Sequence, residues 1–318
     1  MGTARRVPPR HGVHGDELSG DEAWTALRRY GSWSLARDSF VRFRYADGFS
    51  HARALALQTV LCLVPLAIAA VGLSSVLHTE DAGRVVELTI RGLTPSGPGR
   101  AAVDDALSGS RRRAGDGGQL ALWLGLLFAV VNVTTALCQV ERGANRIYGN
   151  ERDRPFLAKY ARGLAMSALA GFPLGLSFVL TVLGADLTRA LAEVYDLAPA
   201  TVRTWEILRL PAGVLLAVLA TSAIFRLSPR RRQPGYTWLA FGAVVYLALW
   251  NLATWGLSLY VGASGSFTSV YGPLSAIVSL LLWSYLTSTA LFLGLSFAAQ
   301  LEAVRAGVRD PVLPDPGI

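Results

Sequence analysis

From Gln233 to Leu301 the chain runs for 69 residues without one Asp, Glu, Lys, Arg or His. A soluble domain keeps charge on its surface somewhere in any stretch of that length. A bilayer reverses the demand: an Asp, Lys or Arg at a helix centre costs about 2.5–3.5 kcal/mol, while each Leu, Ile, Phe or Val contributes roughly 0.3–0.6 in favour of insertion. The stretch exceeds the roughly 20 residues of one span. It breaks at a Gly/Ser-rich segment, Gly262 to Pro273, and therefore reads as two transmembrane helices, about 237–261 and 274–301.

Four further apolar runs precede it, at about 54–77, 119–140, 163–185 and 205–227. The fold class expected is all-α: a polytopic integral membrane protein with six transmembrane helices over 51–302. The composition agrees, with charged residues at only 16% and 52% hydrophobic residues. Residues 1–20, rich in Arg, Gly and Pro, read as a disordered tail, and 303–318 as a polar tail. Over 21–50, Trp24, Leu27, Leu35, Phe40, Val41, Phe43 and Tyr45 alternate with Arg28, Arg29, Arg37, Arg42 and Arg44. That pattern predicts amphipathic helices in the membrane interface, with aromatics on one side and arginines on the other. About 50 mostly polar residues precede the first span, so no cleavable signal peptide is expected.

The formal net charge of +8 does not point to nucleic acid in this setting. Basic loops set membrane orientation and lie against anionic lipid. Arginines crowd the N-terminal segment, the loop after span two and Arg230–Arg232, while the loop after span five carries no charge. Both termini are therefore expected in the cytoplasm. Arg111–Arg113 runs against this, but it lies in a long loop with many acids, where the rule is weak. Cys62 and Cys138 both fall in apolar runs, so neither a disulfide framework nor a thiolate metal site is expected.

Within the spans, Pro65, Pro173 and Pro211 each remove a backbone hydrogen bond and predict helix breaks. Gly171 and Gly175 form a small-xxx-small pair that predicts close helix packing. Gln58, Asn132, Thr135, Asn251 and Thr254 place hydrogen-bonding groups on apolar helices, either to bind an amphiphilic substrate or to join helices. At the end of span two Arg142, Asn145, Arg146 and Tyr148 lie within two turns. Arg142 and Arg146 share a face, so they can hold a lipid phosphate or a loop carboxylate such as Glu151 or Asp153. The segment holding Phe267, Tyr271, Gly272 and Pro273 is expected to fold back against the span ends as an outer gate.

Asn145-Arg-Ile-Tyr-Gly149 with Arg154-Pro-Phe156, Leu63-Val-Pro65-Leu66, and Val270-Tyr-Gly272-Pro-Leu-Ser-Ala-Ile277 with Trp283-Ser-Tyr285 and Leu293-Gly294 together resemble the YihY/BrkB family of bacterial inner-membrane proteins. The resemblance covers about 40–302. It implies six spans and cytoplasmic termini in a bacterial plasma membrane. Two departures stand out. Leu55-Ala-Leu-Gln58-Thr59 replaces an early Tyr-Tyr pair, and the acid near the end of span six is displaced to Glu302. Some members carry an old ribonuclease label and others a virulence-factor label.

Metal-dependent RNA cleavage needs clustered His and Asp ligands, and the four histidines, His11, His14, His51 and His78, form no such cluster. There is no P-loop, Rossmann glycine pattern or GxSxG motif. No catalytic residue, cofactor or metal is expected. The sequence leads to two readings, a transporter or translocator of a lipid or other amphiphile, and a non-transporting scaffold in envelope assembly. Membrane lipids are the expected partners, followed by a second copy of the chain or envelope proteins.

Overall fold

The computed structural model describes residues 4–8, 18–76, 85, 88, 116–263 and 274–313. In chain order the helices are α1 (Gly20–Tyr30), α2 (Ser32–Tyr45), α3 (Gly48–Val76), α4 (Asp116–Ile147), α5 (Phe156–Met166), α6 (Phe172–Phe178), α7 (Gly184–Tyr195), α8 (Pro199–Leu227), α9 (Tyr236–Ala263) and α10 (Ser275–Arg305). Two five-residue π-helical segments, Ser167–Gly171 and Val179–Leu183, join α5, α6 and α7 into one run. Among the described residues six stretches are long and apolar enough to cross a membrane, including that composite run over Phe156–Tyr195. The protein is thus an all-α, multi-pass membrane protein. The helices outrun the expected spans because their ends continue as polar turns beyond the apolar part.

The three prolines are absorbed differently. Pro65 and Pro211 lie inside the continuous helices α3 and α8. Pro173 follows the first π segment, and the carbonyl four residues before it, that of Leu169, lies within that segment. A π turn adds one residue, which relieves the clash between a proline ring and the preceding turn. The gate segment with Phe267, Tyr271, Gly272 and Pro273 lies outside the described residues, as do most of 77–115.

The chain divides into two compact units. One comprises 1–60, 133–171 and 218–318, the other 61–132 and 172–217. In the first unit α9 packs along α10, and α2 and α1 pack on α10 as well. The closest approach is at Gly242 and Gly294: a Cβ on either would lie 2.6 Å from the other's carbonyl oxygen. The Gly171/Gly175 pair expected from sequence does not play that part. A Cβ at Gly175 meets nothing within 4 Å, and one at Gly171 makes ordinary contact at 3.4 Å. The spacing was right for a small-residue contact, but Gly175 faces away from protein. Gly294→Ala is expected to destabilise the protein by about 1–3 kcal/mol, the cost of overpacking against backbone that cannot yield. Gly175→Ala should instead be neutral or slightly stabilising, by roughly 0.5–1 kcal/mol, because alanine favours the helix. Unfolding of both variants in one detergent checks the contrast.

The N-terminal helices correct the amphipathic reading. α1 opens with a capping box in which Ser19 and Glu22 exchange hydrogen bonds. Its far face carries Trp24, with Arg28 stacked 4.8 Å from the ring centroid. In α2, however, Arg42 is fully buried beside Phe43, while Phe40 is half exposed and Trp33 is 83% exposed. The division into an aromatic side and an arginine side therefore fails at Arg42. Phe43 packs edge-on to Phe49 at 4.8 Å across the tight α2–α3 turn. Residues 4–8, expected within a disordered tail, are also packed. Ala4 pairs with Val312, Arg5 N donates to Pro311 O at 2.8 Å, and Ala4 and Val7 are buried.

Candidate functional site

The polar groups of the first unit gather at the end of α4. Asn150 N donates to Asn145 O at 2.8 Å and Gly149 N to Arg146 O at 3.0 Å. With Gly149 at φ 73°, this is the Schellman ending of a helix, which favours glycine at the left-handed position. A side chain there would also strike the backbone of Arg6, 2.6 Å from any Cβ. The Asn-Arg-Ile-Tyr-Gly segment is therefore a helix stop that turns the chain into the 150–155 loop.

Asn145, fully buried, closes that loop. Its Nδ2 donates to Asp153 Oδ1 at 3.1 Å, and its Oδ1 accepts from Arg230 N at 2.7 Å. Asp153 also accepts from Arg142 Nε at 3.3 Å and from Lys159 Nζ at 3.0 Å. Partial burial works to raise its carboxyl pKa. The hydrogen bonds from Asn145 and Lys159, the charge of Lys159 and the Arg142 contact outweigh that and hold it below the usual carboxylate value. One residue on, Arg154 donates to Ser228 O at 2.9 Å and Pro229 O at 3.0 Å. It lies 2.9 Å from the buried Glu141 carboxylate. The loops 150–155 and 228–230 are thus joined by one charged network.

A carboxylate held below its ordinary pKa contributes stability that is present above the unfolded value, 3.8, and lost as pH falls through the lower folded value. Asp153→Asn is expected to lower stability at pH 6 and to converge on the wild type as pH drops below about 3.8. Melting curves of the two proteins across pH 3–6 check this.

A second cluster, missed by sequence reasoning, lies beside it. Arg42 donates from Nε to Gln300 Oε1 at 2.8 Å, and from Nη1 to Arg5 O at 2.8 Å and Ile147 O at 3.0 Å. Burial depresses its guanidinium to about 10, which still leaves it charged at neutral pH. Gln300 Nε2 donates in turn to Arg309 O at 2.8 Å. Arg231 pairs with the Glu302 carboxylate, both side chains nearly buried, and its guanidinium lies 4.7 Å over the Tyr148 ring. Burial, and then the charge of Glu302, push the Tyr148 phenol above its usual value. Nothing local marks these residues in the sequence. The signal available was Gln300 and Glu302 ending an otherwise uncharged helix.

The remaining sequence candidates are placed as follows. Arg142 and Arg146 are exposed, and Tyr148 is fully buried. Arg142 takes the loop carboxylate, Asp153, that the sequence offered as one of its two partners. Asn132 and Asn251 each donate to the carbonyl four residues earlier, Phe128 and Leu247. Thr254 accepts from Trp283 Nε1 at 3.2 Å, joining α9 to α10. Gln58 and Thr135 are half-buried on α3 and α4. Pro65 is buried and, in the second unit, lines an apolar cleft of about 530 Å³ with Val64 and Ile68 of α3 and Leu120, Leu124 and Phe128 of α4. α3 and α4 meet behind it where a Cβ on Gly125 would lie 2.6 Å from Ala69 N. Cys62 and Cys138 are free and buried. Among the described residues no three His, Cys, Asp or Glu side chains come together as metal ligands.

Comparison with known proteins gives consistent matches. The family model described as virulence factor BrkB matches residues 39–315. A UPF0761 membrane protein of Stenotrophomonas maltophilia strain K279a is 28% identical over 293 residues, 89% of this chain and 64% of its own length. One from Azoarcus sp. is 29% identical, over 79% of this chain and 59% of its own length. The chain thus spans less than two thirds of these relatives. YfkH of Bacillus subtilis, whose name describes it as ribonuclease-like, is 22% identical over 85% of this chain and 95% of its own length. No solved structure matches the chain.

Proposed function

The chain belongs to the virulence factor BrkB family, and from that premise we propose that it is a translocator of a lipid or another amphiphile in the bacterial plasma membrane. The observation that carries the reading is the cleft between α3 and α4. Its walls are almost wholly apolar and include Pro65. α3 stays continuous through Pro65, so the reading rests on the walls themselves: an acyl chain asks for an apolar lining. Separately from the cleft, the first unit presents arginines at the end of α4. Arg142 and Arg146 lie exposed on one face of the helix, at a level suited to headgroup phosphates. Arginine excess on the loops beside both termini supports a cytoplasmic placement of the termini.

Reconstitution tests the reading. Vesicles carrying a headgroup-labelled fluorescent phospholipid on both leaflets lose about half their signal to a membrane-impermeant reductant, because the inner leaflet is shielded. With the protein present, the protected half is expected to decay as well. Ala121→Trp, which fills the cleft, should slow that decay strongly while the purified protein keeps its elution volume. Decay no faster than in protein-free vesicles, with and without a proton gradient or added nucleotide, would remove the translocator reading and leave a scaffold. Orientation is checked separately: a reporter active only outside the cytoplasm should work at Ala192 and be silent at Arg231.

A further inference from the structure

Arg209 is a charged residue inside a candidate span, Pro199–Leu227. It lies ten residues into α8, about 15 Å from Pro199 along the axis. Its neighbours Ile207, Leu208 and Leu210 are exposed apolar residues, as befits a surface covered by lipid. An arginine on a face otherwise covered by lipid is costly unless it has a use or a partner.

Its partner is unusual. Arg209 Nη1 donates to Leu180 O at 3.3 Å, a carbonyl within the π segment Val179–Leu183. The wider turn frees carbonyls from their usual amide partners, and π segments of this kind cluster at functional sites. The guanidinium is seated on Gly184: a Cβ there would lie 3.2 Å from both Arg209 Cδ and Nη1. Around it Ser177 Oγ donates to Gly213 O at 2.7 Å and a Cβ on Gly213 would meet Thr181 at 2.5 Å, so α6 and α8 are held close. The nearby Asp186 pairs with Arg189 at 2.6 Å. Among the described residues no carboxylate pairs with Arg209, and its Nε is buried with no hydrogen-bond partner. One edge of the fork is thus anchored to backbone, and no described residue supplies its charge with a counter-ion.

We propose that Arg209, fixed by the π segment, is a binding site for the phosphate group of a phospholipid. A planar guanidinium matches phosphate oxygens two at a time, which a lysine ammonium does not. One turn earlier, exposed Glu206 marks where the helix reaches polar surroundings, so Arg209 sits just inside that boundary, at the level of lipid phosphates. The site stands apart from transport. It requires only that lipid be bound, and its test reads binding alone.

Native mass spectrometry of the purified protein, titrated with phosphatidylglycerol, measures the occupancy. Arg209→Met is expected to weaken the tightest binding event about tenfold, the effect of roughly one charge-assisted contact. Arg209→Lys should weaken it several-fold although the charge is kept, whereas exposed Arg203→Met should leave it unchanged. Equal binding by Arg209→Met, or full rescue by Lys, overturns the site. A second measurement needs no variant. Phosphatidylglycerol should protect Arg209 of the wild-type protein from phenylglyoxal, and a diacylglycerol, which lacks the phosphate, should not. Protection by diacylglycerol would mean steric cover only. Equal protection by inorganic phosphate would mean a free anion rather than a lipid. Either result overturns the assignment.

Discussion

Arg42→Met should destabilise the protein by about 3–5 kcal/mol. The side chain is fully buried and serves three acceptors on three different stretches of chain: the Gln300 amide and the carbonyls of Arg5 and Ile147. Methionine matches its volume but donates nothing. Each stranded buried acceptor costs roughly 1–3 kcal/mol, and some will relax toward water. Removing a buried charge recovers part of its own desolvation cost, which keeps the total below the plain sum of the three. Arg42→Lys retains charge and one contact and should lose about half as much. Arg44→Met, two residues on and exposed, should change little, within about 0.5 kcal/mol. Unfolding curves of the three variants in one detergent decide it. Equal effects at Arg42 and Arg44 would mean that the buried network carries no stability.

The second large effect is at the Arg231–Glu302 pair, where both side chains are nearly buried. Breaking such a pair from one side costs about 3–5 kcal/mol, because the remaining charge keeps its desolvation penalty without its partner. Arg231→Met is expected to fall in that range. It also loses the stacking over Tyr148 and a contact to Val7 O at 3.4 Å. The double variant Arg231→Met, Glu302→Leu should recover much of the loss, since apolar replacements of a buried ion pair are often neutral. If the double variant is as unstable as the sum of its parts, the two residues act independently and the pair is not the source of the effect.

The spans were legible in the sequence because a bilayer forces long charge-free runs, and length alone then sets their number. The helix stop at Gly149 was not read from the sequence, where Asn145–Gly149 served only as part of the family resemblance, although glycine commonly ends a helix. Asp153 was in reach as a partner for Arg142, being only eleven residues away. What escaped was set by separation or by local geometry. Arg42 alternates with aromatics exactly as an outward-facing residue would, and only Gln300, 258 positions away, shows that it points inward. Arg231 and Glu302 are 71 positions apart, and neither carries a motif. The π segments before Pro173 and Gly184 also left no pattern, because one added residue per turn does not change composition. Arg209 could be noticed as a charge too close to an apolar run, but its seat on a π-segment carbonyl could not.

The clasp formed by residues 4–8, Arg42, the end of α4 and the region from Gln300 to Val312 also sets an order of assembly. The first described residues hold donors and acceptors whose partners are among the last described residues in the sequence. Until α10 has been inserted, Arg42 has no Gln300 to bind and Glu302 does not yet exist to neutralise Arg231. A chain stalled before that point therefore presents unpaired guanidinium groups on a nearly complete set of apolar helices. Contacts so distant along the chain form late and slowly. The clasp thus ties the first described residues to the last, and both must be present before Arg42 has all its acceptors.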